Sequence, residues 1–292
     1  MNWDDMRVFL AVARAGSLSG AAGPLRMDPA TVGRRIARLE DATGAALFVK
    51  GPQGYDLTDL GARMQAHAAG AEEALDLALD EGRGAAAGLT GQIRIGAPDG
   101  CANFLLPQVA MRIQTANPGL EVQILALPRV VNLSKREADL AITVSPPDAG
   151  RLTVQKVTDY RLHLAMRRDL PEPADLAALR GLPVVGYIPD MIFDRELDYL
   201  GEIGAGGVQL ASNSVSVQLQ MLRQGGVGIV HDFALPFAPE LRRVLTGAVS
   251  LTRAFHLVRH AADRRSERLS RFAAELTAGL RAEVARLEAL AT

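Results

Sequence analysis

Apolar residues recur at helical spacing through the first 45 positions of the chain, and the turns between them carry capping residues. Gly16 is expected to end the first helix, Ser17 or Ser19 to cap the second, and Asp28 followed by Pro29 to open the third. The pattern therefore predicts three helices. The first runs from Trp3 to Ala15, the second follows its serine cap and ends at Leu25, and the third runs from Pro29 to about Gly44.

Two short strands are predicted next, from Leu47 to Lys50 and from Tyr55 to Leu57, joined by a turn at 51–54. Two short helices joined by a tight turn and followed by such a strand pair, the wing, have the layout of a winged helix-turn-helix. In that layout the N-terminal residues of the second helix meet base edges, and arginines meet guanine edges or phosphates.

The DNA-contact candidates follow from this layout, and they are Ala30, Thr31, Gly33, Arg34, Arg35, Arg38 and Gln53. We expect Ala30, Thr31 and Arg34 near bases. Phosphate contacts are assigned to Gln53 and to Arg35 or Arg38. Arg38 has an alternative role as a structural ion pair with Glu40 or Asp41.

A long helix begins at Thr58 and Asp59, and its apolar stripe repeats at close to 3.5-residue spacing, which is typical of a helix that packs on a partner helix. The pattern predicts that this helix gives way to a flexible joint near Gly82–Gly88. His67 lies on this stripe, so we expect a packed interface histidine there more than a pH switch.

From residue 89 onward, strand and helix patterns alternate, which predicts an α/β domain with a mostly parallel sheet and two subdomains. A terminal amphipathic helix is expected from Glu267 to Leu290. The predicted strands are Ile93–Ile95, Leu120–Leu127, Leu140–Val144, Leu162–Met166, Val184–Tyr187, Val208–Ala211, Val227–Val230 and Phe255–Val258. The helices predicted between them are Leu105–Ala116, Val130–Glu137 and Val215–Arg223.

Loops at the carboxyl ends of strands line ligand crevices in open α/β sheets. This placement, together with the family resemblance described below, selects the effector-binding candidates Asp99, Gly100, Cys101, Pro128, Arg129, Ser145, Tyr187, Ile188, Asn213 and Ser214.

Three of these candidates carry open alternatives. Asp99 either repels an anionic ligand or caps a helix that starts near Phe104. The 212–214 segment either only caps the helix at Val215 or also binds a ligand's carboxylate or hydroxyl group at that helix N-terminus. Cys101 is expected to line a pocket more than to sense thiol chemistry, because nothing basic lies near it in sequence to lower its pKa.

Composition narrows the classes of protein further. The 292 residues are 48% hydrophobic and 22% charged, with 32 basic and 33 acidic side chains, as in ordinary soluble domains. One cysteine excludes an intrachain disulfide, and the N-terminus lacks a signal-peptide pattern, so we expect a cytoplasmic protein. The histidines and Cys101 show no metal-ligand spacing, and no catalytic motif occurs in its required context, so neither a metal, a cofactor nor an enzyme is expected.

Specific residues resemble the LysR-type transcriptional regulators. The resemblance is strong at the front and looser behind, and it covers nearly the whole chain. It rests on Phe9-Leu10-Ala11-Val12-Ala13, Gly16-Ser17-Leu18, Ala21-Ala22, Arg34-Arg35-Ile36-Ala37-Arg38-Leu39-Glu40, Gly44, Leu47-Phe48, Gly54, Leu57-Thr58, Gly61, Gly91-Gln92-Ile93-Arg94-Ile95-Gly96, Leu106-Pro107, Asn117-Pro118, Ala138-Asp139-Leu140-Ala141-Ile142 and Gly225-Gly226-Val227-Gly228-Ile229.

The resemblance implies a winged helix-turn-helix at residues 1–60, a linker helix and hinge at 61–88, and at 89–292 an effector domain similar to periplasmic binding proteins. It also implies double-stranded operator DNA, a small-molecule effector, a homodimer that forms tetramers, and RNA polymerase as partners. The chain departs from the family pattern at Asp28-Pro29-Ala30, Gly33, Lys50, Gln53 and His231-Asp232.

Two rival functions are weighed against this regulator. A stand-alone small-molecule-binding protein or enzyme of the α/β cleft type leaves residues 1–60 unexplained. An architectural DNA binder without ligand control leaves the large C-terminal domain without a role.

Overall fold

The computed structural model describes residues 2–51, 54–82, 88–126, 133, 137–147, 150–192, 194–199, 207–261, 263 and 266–291. The chain divides into two compact units, an N-terminal unit of residues 1–86 and a C-terminal unit of residues 87–292. Each unit has its own hydrophobic core. Within the described segments, no helix is both long enough and apolar enough to cross a membrane.

The N-terminal unit contains the helices and the strand pair that the sequence predicts. Its elements are α1 (Trp3–Ala15), α2 (Leu18–Leu25), α3 (Pro29–Thr43), β1 (Phe48–Gly51), β2 (Gly54–Leu57) and α4 (Asp59–Gly82). The predicted three helices and long fourth helix are confirmed.

Local caps explain why these helices begin and end where they do. The Ser17 hydroxyl accepts a 3.0 Å hydrogen bond from the Gly20 amide at the start of α2. The Asp28 carboxylate accepts a 2.9 Å hydrogen bond from the Thr31 amide at the start of α3. Gly16 ends α1 with a left-handed φ of 64°. These bonds satisfy backbone groups that a helix end otherwise leaves unpaired.

The wing, β1 with β2, is antiparallel and held against the helices by one close backbone contact. The Tyr55 amide donates a 2.8 Å hydrogen bond to the Gly16 carbonyl. Gly54 has φ 134°, and a Cβ there would lie 2.2 Å from the same Gly16 oxygen. The Phe48 ring contacts Phe9 and Tyr55, with centroids 5.3 and 5.9 Å away. Only glycine therefore fits at the start of β2.

Helix α4 starts on a side-chain cap and packs its first turns against the N-terminal core. The Thr58 hydroxyl accepts from the Gly61 amide at 3.0 Å. Met64 contacts the core. Farther along, His67 is exposed and Leu75 is 44% exposed. Among the described side chains of α4, the predicted apolar stripe is thus covered within this chain at Met64 and exposed at Leu75.

The C-terminal unit is built on one mixed sheet with helices packed on it. Its strands are β3 (Gly91–Ala97), β4 (Leu120–Ala126), β5 (Leu140–Thr143), β6 (Leu152–Arg167), β7 (Val184–Gly186), β8 (Leu210–Ala211), β9 (Val227–His231), β10 (Leu241–Arg243) and β11 (Ser250–His260). Its α-helices are α5 (Asp99–Phe104), α6 (Leu106–Ala116), α7 (Val215–Gln224) and α8 (Glu267–Leu290). Short 3-10 turns lie at Leu176–Leu179, Pro189–Met191, Arg195–Leu197 and Asp232–Phe237.

Among the described strands, the sheet order is β4-β3-β5-β11-β6-β9-β7-β8, with β10 beside β6. Strand β3 is parallel to β4 and β5, and β7 is parallel to β8 and β9. The pairs β11–β5, β11–β6, β6–β9 and β6–β10 are antiparallel. The prediction of a mostly parallel sheet is therefore wrong, since two long antiparallel strands join two parallel groups.

The lengths of β6 and β11 explain this error. Strand β6 has 16 residues and β11 has 11, whereas the sequence pattern predicted only Leu162–Met166 and Phe255–Val258. Those short segments are the most continuously buried parts of each strand. The remainder is partly exposed and rich in polar residues, so it carries no continuous apolar run.

The helix predicted at Leu105–Ala116 is confirmed as α6, and a short helix that the sequence did not predict, α5, comes directly before it, with Leu105 between the two. Pro107 lacks the N–H that a continuous helix would pair with the Asn103 carbonyl, so α6 restarts with this proline in its first turn. The predicted terminal helix is confirmed, and its Gly279 lies so close to Val109 that a Cβ would come within 2.6 Å. The helix predicted at 130–137 lies largely outside the described residues.

Candidate functional sites

The exposed face of α3 carries an arginine, Arg34, whose guanidinium is held in place by a hydrogen bond. The Arg34 Nη2 atom donates a 2.9 Å hydrogen bond to the Thr31 hydroxyl, which in turn donates to the Asp28 carboxylate. These Thr31 hydrogen bonds lower the pKa of Asp28, so its carboxylate stays charged at the helix N-terminus. Ala30 and Arg34 are exposed, and Arg35 is half-buried. The first turns of α3 thus present a fixed guanidinium to solvent.

A buried carboxylate on α1 holds the other two arginines of α3. The Arg38 Nε atom lies 2.9 Å from an Asp5 oxygen, and Arg35 Nη1 lies 3.5 Å from the other. Asp5 is only 2% exposed, whereas the Arg38 side chain is 58% exposed. The predicted alternative, an ion pair of Arg38 with Glu40 or Asp41, is therefore wrong. Arg38 does form an ion pair, but its partner is Asp5 on α1.

The remaining DNA-contact candidates are a glycine and a glutamine. A Cβ on Gly33 would lie 3.3 Å from the Leu18 side chain, so α2 and α3 approach closely there. Gln53 lies outside the described residues.

The Asp99 carboxylate caps a different helix from the one expected. One Asp99 oxygen accepts hydrogen bonds from the Val215 amide at 2.7 Å, the Ser214 hydroxyl at 3.1 Å and the Ser216 amide at 3.4 Å. Helix α5 begins at Asp99 itself, so Asp99 does not cap a helix near Phe104. Its carboxylate instead caps α7, more than 100 residues away in sequence.

This arrangement changes the prediction for the 212–214 segment. The Ser214 hydroxyl also caps α7, because it accepts from the Val217 amide at 3.4 Å. Asn213 beside it is half-buried. The α7 N-terminus, where one of the two alternatives placed a ligand's carboxylate or hydroxyl group, is occupied by the chain's own Asp99 carboxylate.

Cys101 lies in the hydrophobic core of the C-terminal unit and is fully buried. Burial raises the pKa of its thiol well above the ordinary value, so the reactive thiolate is disfavoured. Gly100 beside it is also buried, and a Cβ there would lie 3.5 Å from the His231 ring. Neither residue lines the cavity described below.

The other cleft candidates have separate positions. The Ser145 hydroxyl donates to the Asp194 carboxylate. Ile188 is half-buried, and its carbonyl accepts from the Met191 amide at 3.0 Å. Pro128 and Arg129 lie outside the described residues.

A cavity of about 210 Å³ lies in the C-terminal unit, beside the parallel strands β7 and β9. Tyr187 is the one predicted candidate among its described lining residues. Tyr187 and Tyr199 meet edge to face in its wall, with ring centroids 5.9 Å apart. The lining residues are Val185, Gly186, Tyr187, Pro189, Ile192, Leu197, Asp198, Tyr199, Gly207, Val208, Gln218 and Ile229.

One cavity residue that was not among the predicted candidates, Gln218, could have been recognised from the sequence. Gln218 lies on the face of α7 that also buries Val215, Leu219 and Leu222. A polar residue on a buried helix face needs a partner, and the Gln218 amide donates a 2.7 Å hydrogen bond to the Ser212 carbonyl. Tyr199 lies outside any periodic segment, so the pattern gave no indication of it.

An aromatic cluster forms the wall behind Tyr199. The His231 Nε2 atom lies 3.5 Å from the Tyr199 hydroxyl, and Tyr160 stacks on Phe255 with centroids 4.2 Å apart. Burial lowers the pKa of His231 to about 3, so the imidazole is neutral at ordinary pH. The His231 Nδ1 atom has no hydrogen-bond partner among the described residues. This wall carries no positive charge from His231.

Asp232 beside it is fully buried and ties three elements together. His163 Nδ1 lies 2.8 Å from one carboxylate oxygen, and Arg243 Nη1 lies 3.1 Å from the other. Arg243 also donates a 2.8 Å hydrogen bond to the Ala291 carbonyl at the end of α8. The His231-Asp232 departure from the family pattern is thus accommodated by an internal polar network. Within the described parts of the chain, no three His, Cys, Asp or Glu side chains are grouped to hold a metal ion.

Two family models match the chain. Residues 3–62 match the family described as bacterial regulatory helix-turn-helix protein, lysR family. Residues 86–281, two thirds of the chain, match the family described as LysR substrate binding domain. The first match includes α1 to β2, and the second includes the Asp99 network and the cavity.

Known relatives agree with these matches. The Mau operon transcriptional activator of Paracoccus denitrificans is 32% identical over 183 residues, 61% of this chain and 63% of that protein. The regulator DgdR of Burkholderia cepacia is 34% identical over 150 residues, half of each chain. The chain therefore aligns with less than two thirds of either relative.

A solved structure extends the similarity in fold. A full-length variant of OxyR from Pseudomonas aeruginosa matches with a TM-score of 0.73 and 18% identity, over 96% of this chain and 98% of that one. At this identity the likeness concerns the fold alone.

Proposed function

Because this chain belongs to the LysR-type family of transcriptional regulators, we propose that it binds specific DNA sequences and that a small molecule controls this activity. The single observation that supports the proposal most strongly is the arginine-bearing face of α3, on a winged helix-turn-helix whose arginines are oriented by partners within the N-terminal unit.

The DNA contact is assigned to the start of α3. Ala30, Thr31 and Arg34 are proposed to meet base edges in the major groove, with Arg34 bidentate on guanine. Arg35 and Arg38 lie farther along α3 and are bridged to Asp5, which suits phosphate contacts that set the orientation of the helix on the duplex. Gln53 in the wing is proposed as a further phosphate contact.

The effector site is assigned to the cavity beside β7 and β9. A concave, largely apolar site with a few polar groups is the usual form of a small-molecule pocket. We place Tyr187 in direct contact with the effector. Asp99, Ser214 and Asn213 are proposed to act at the nearby α7 N-terminus, and Ser145 and Ile188 at the rim.

The roles of the three parts of the chain follow the family. Residues 1–60 are proposed to bind DNA, residues 61–88 to form a dimerising linker and hinge, and residues 89–292 to bind the effector. Dimers through α4 that pair into tetramers would place paired helix-turn-helix motifs on one operator. Effector-induced closure of the subdomains would then change their spacing or angle on DNA. RNA polymerase is a further proposed partner, and the cytoplasm is the proposed location.

The test is selection of bound duplexes from a random DNA library by the full-length protein, followed by affinity measurement on the enriched sequence. We expect an enriched sequence with inverted half-sites. The Arg34→Ala variant should bind it more weakly by about 1–3 kcal/mol. Arg180→Ala, an exposed arginine of the C-terminal unit, is the matched control and should bind unchanged. Selection without any enriched sequence contradicts the proposed function.

A further inference from the structure

Three side chains at the start of α3, those of Asp28, Thr31 and Arg34, are joined by hydrogen bonds. One Asp28 oxygen accepts a 2.9 Å hydrogen bond from the Thr31 amide, which caps the helix. The other Asp28 oxygen accepts from the Thr31 hydroxyl. That hydroxyl in turn accepts from Arg34 Nη2 at 2.9 Å. Capping needs only the first of these bonds, so it does not account for the other two.

The Asp28 carboxylate fixes the direction of these hydrogen bonds. A carboxylate only accepts and a guanidinium only donates, whereas a hydroxyl does both. The Thr31 hydrogen therefore points to Asp28, which leaves an oxygen lone pair for Arg34. The hydrogen bonds from Thr31 lower the pKa of Asp28, so the carboxylate stays charged and keeps this direction at neutral pH.

Arg34 can still read a base in this arrangement. A guanidinium has five N–H donors, and the exposed Arg34 uses one of them on Thr31. A bidentate contact with guanine needs two donors that face the O6 and N7 atoms together, so it depends on the orientation of the guanidinium plane. A side chain that is already held in that orientation also loses less conformational freedom on binding.

The charge of Asp28 favours a positioning role over a capping role alone. A carboxylate on the turn that approaches DNA is repelled by the phosphates. Serine and asparagine cap helices about as well as aspartate and carry no charge. The feature that serine lacks is a second carboxylate oxygen, and here that oxygen binds the Thr31 hydroxyl.

Resting on the proposed DNA contact of α3, we infer that Asp28 and Thr31 are positioning residues that set the base specificity of Arg34. Asp28 holds the Thr31 hydroxyl, and this hydroxyl holds the guanidinium in the plane that contacts guanine. Neither residue has to touch that guanine. Without these hydrogen bonds Arg34 still contacts the duplex, but it discriminates less between guanine and the other bases.

The experiment measures base discrimination at one operator position with the full-length protein. Selection from a random DNA library by the wild type and by Arg34→Ala identifies the position whose base preference depends on Arg34. The discrimination ratio is the affinity for the operator with guanine at that position, divided by the mean affinity for operators with the other bases there, at fixed salt. We expect a wild-type ratio of about tenfold or more, as for a bidentate contact.

Two variants of Thr31 isolate its hydroxyl. Thr31→Val keeps the branched shape and the backbone amide but removes the hydroxyl, so the ratio should fall about fivefold. Thr31→Ser keeps a hydroxyl and should retain the wild-type ratio.

A variant of Asp28 separates positioning from capping. Asp28→Ser keeps a capping oxygen but lacks the second one, so the ratio should fall about fivefold while the urea midpoint of the N-terminal unit stays at the wild-type value. Its affinity for a scrambled duplex should not decrease, because a negative charge has been removed. Asp41→Ser removes another exposed carboxylate of α3 and is the matched control, with an unchanged ratio.

The possible failures are distinguishable. A wild-type ratio in Thr31→Val or Asp28→Ser overturns the inference and leaves DNA recognition by Arg34 intact. Equal losses in Asp28→Ser and Asp41→Ser assign the effect to charge alone and also overturn it. An Arg34→Ala protein that keeps every base preference of the wild type overturns it as well. A wild-type selection without an enriched sequence contradicts the proposed function itself, and the inference with it.

Discussion

Asp5 shows what single residues contribute and what a sequence pattern cannot give. The arginines of α3 were recognisable from their helix, but the partner of Arg38 is 33 residues earlier in the chain. Asp5 lies in the first turn of α1, where an acidic residue is already explained by helix electrostatics. The local sign that separates it from Asp4 is its place on the buried face of α1 with Phe9 and Val12, and only the packing of α1 on α3 reveals its arginine partners.

We predict that Asp5→Asn lowers the free energy of unfolding of the N-terminal unit by about 1–3 kcal/mol, because buried charge-assisted hydrogen bonds are lost. Trp3, the one tryptophan in the sequence, reports this transition by fluorescence during urea denaturation. The matched variant Asp4→Asn changes an exposed carboxylate on the same turn of α1 and should be nearly neutral. Equal effects of the two variants would contradict the assigned role of Asp5.

His231 gives a pH prediction with a definite sign. Its pKa is about 3 when folded and 6.5 in the ordinary unfolded environment, so below pH 6.5 the unfolded chain binds a proton that the folded chain does not. Its contribution to stability is therefore complete above pH 6.5 and is lost as pH falls toward 3, by up to about 1.4 kcal/mol per pH unit.

Calorimetry between pH 7 and pH 4 checks this prediction. The His231→Gln variant should lose stability in the C-terminal unit less steeply than the wild type as pH falls. If the stability of the His231→Gln variant falls with pH as steeply as that of the wild type, the buried neutral state assigned to His231 is contradicted.

At the scale of elements, segments with local signals were predictable and segments without them were not. Helix α8 matches its predicted bounds because its apolar face is readable in sequence, and the structure adds a Ser266 cap at its start. The long strands β6 and β11 were shortened and misoriented because their pairing joins residues about 100 positions apart. Strand partners and direction depend on such distant contacts, which hydrophobic alternation does not encode.

The wing provides the prediction at this scale. Gly54→Ala should lower the stability of the N-terminal unit by about 1–3 kcal/mol, because a Cβ would lie 2.2 Å from the Gly16 oxygen at φ 134°. Gly51→Ala, in the opposite strand of the wing, places its Cβ 3.5 Å from the Asp56 carboxylate and should have little effect. Urea denaturation followed by Trp3 fluorescence measures the stability of both variants. A Gly54→Ala variant as stable as the wild type would contradict the close contact of the wing with Gly16.

At the scale of the whole molecule, the two-part organisation was predictable, whereas the lining of the cavity beside β7 and β9 largely was not. Of the effector candidates chosen at strand ends, Tyr187 lines the cavity and Asp99 instead caps α7. Tyr199 and Asp198 come from an irregular segment without periodicity. A ligand site assembled from loops distant in sequence leaves little trace in local patterns.

Dimerisation through α4 is testable at this scale. Leu75→Asp places a charge on the exposed part of the apolar stripe and should shift the protein toward monomer in sedimentation velocity experiments. Leu176→Asp changes a leucine of similar exposure in the C-terminal unit, 40% against 44%, and should leave the sedimentation coefficient unchanged. A Leu75→Asp protein with the wild-type sedimentation coefficient would place the dimer contact elsewhere.

The central claim is that one molecule reads DNA and responds to a small ligand. The most direct measurement is the affinity of the full-length protein for its selected operator and for a scrambled duplex, at fixed salt, with and without a small molecule found to raise its Tm. The account predicts preferential operator binding that this small molecule changes, while the scrambled duplex is bound weakly in both conditions. Equal affinity for the two duplexes, or an operator affinity that ligand binding leaves unchanged together with an unchanged DNA footprint, would contradict it.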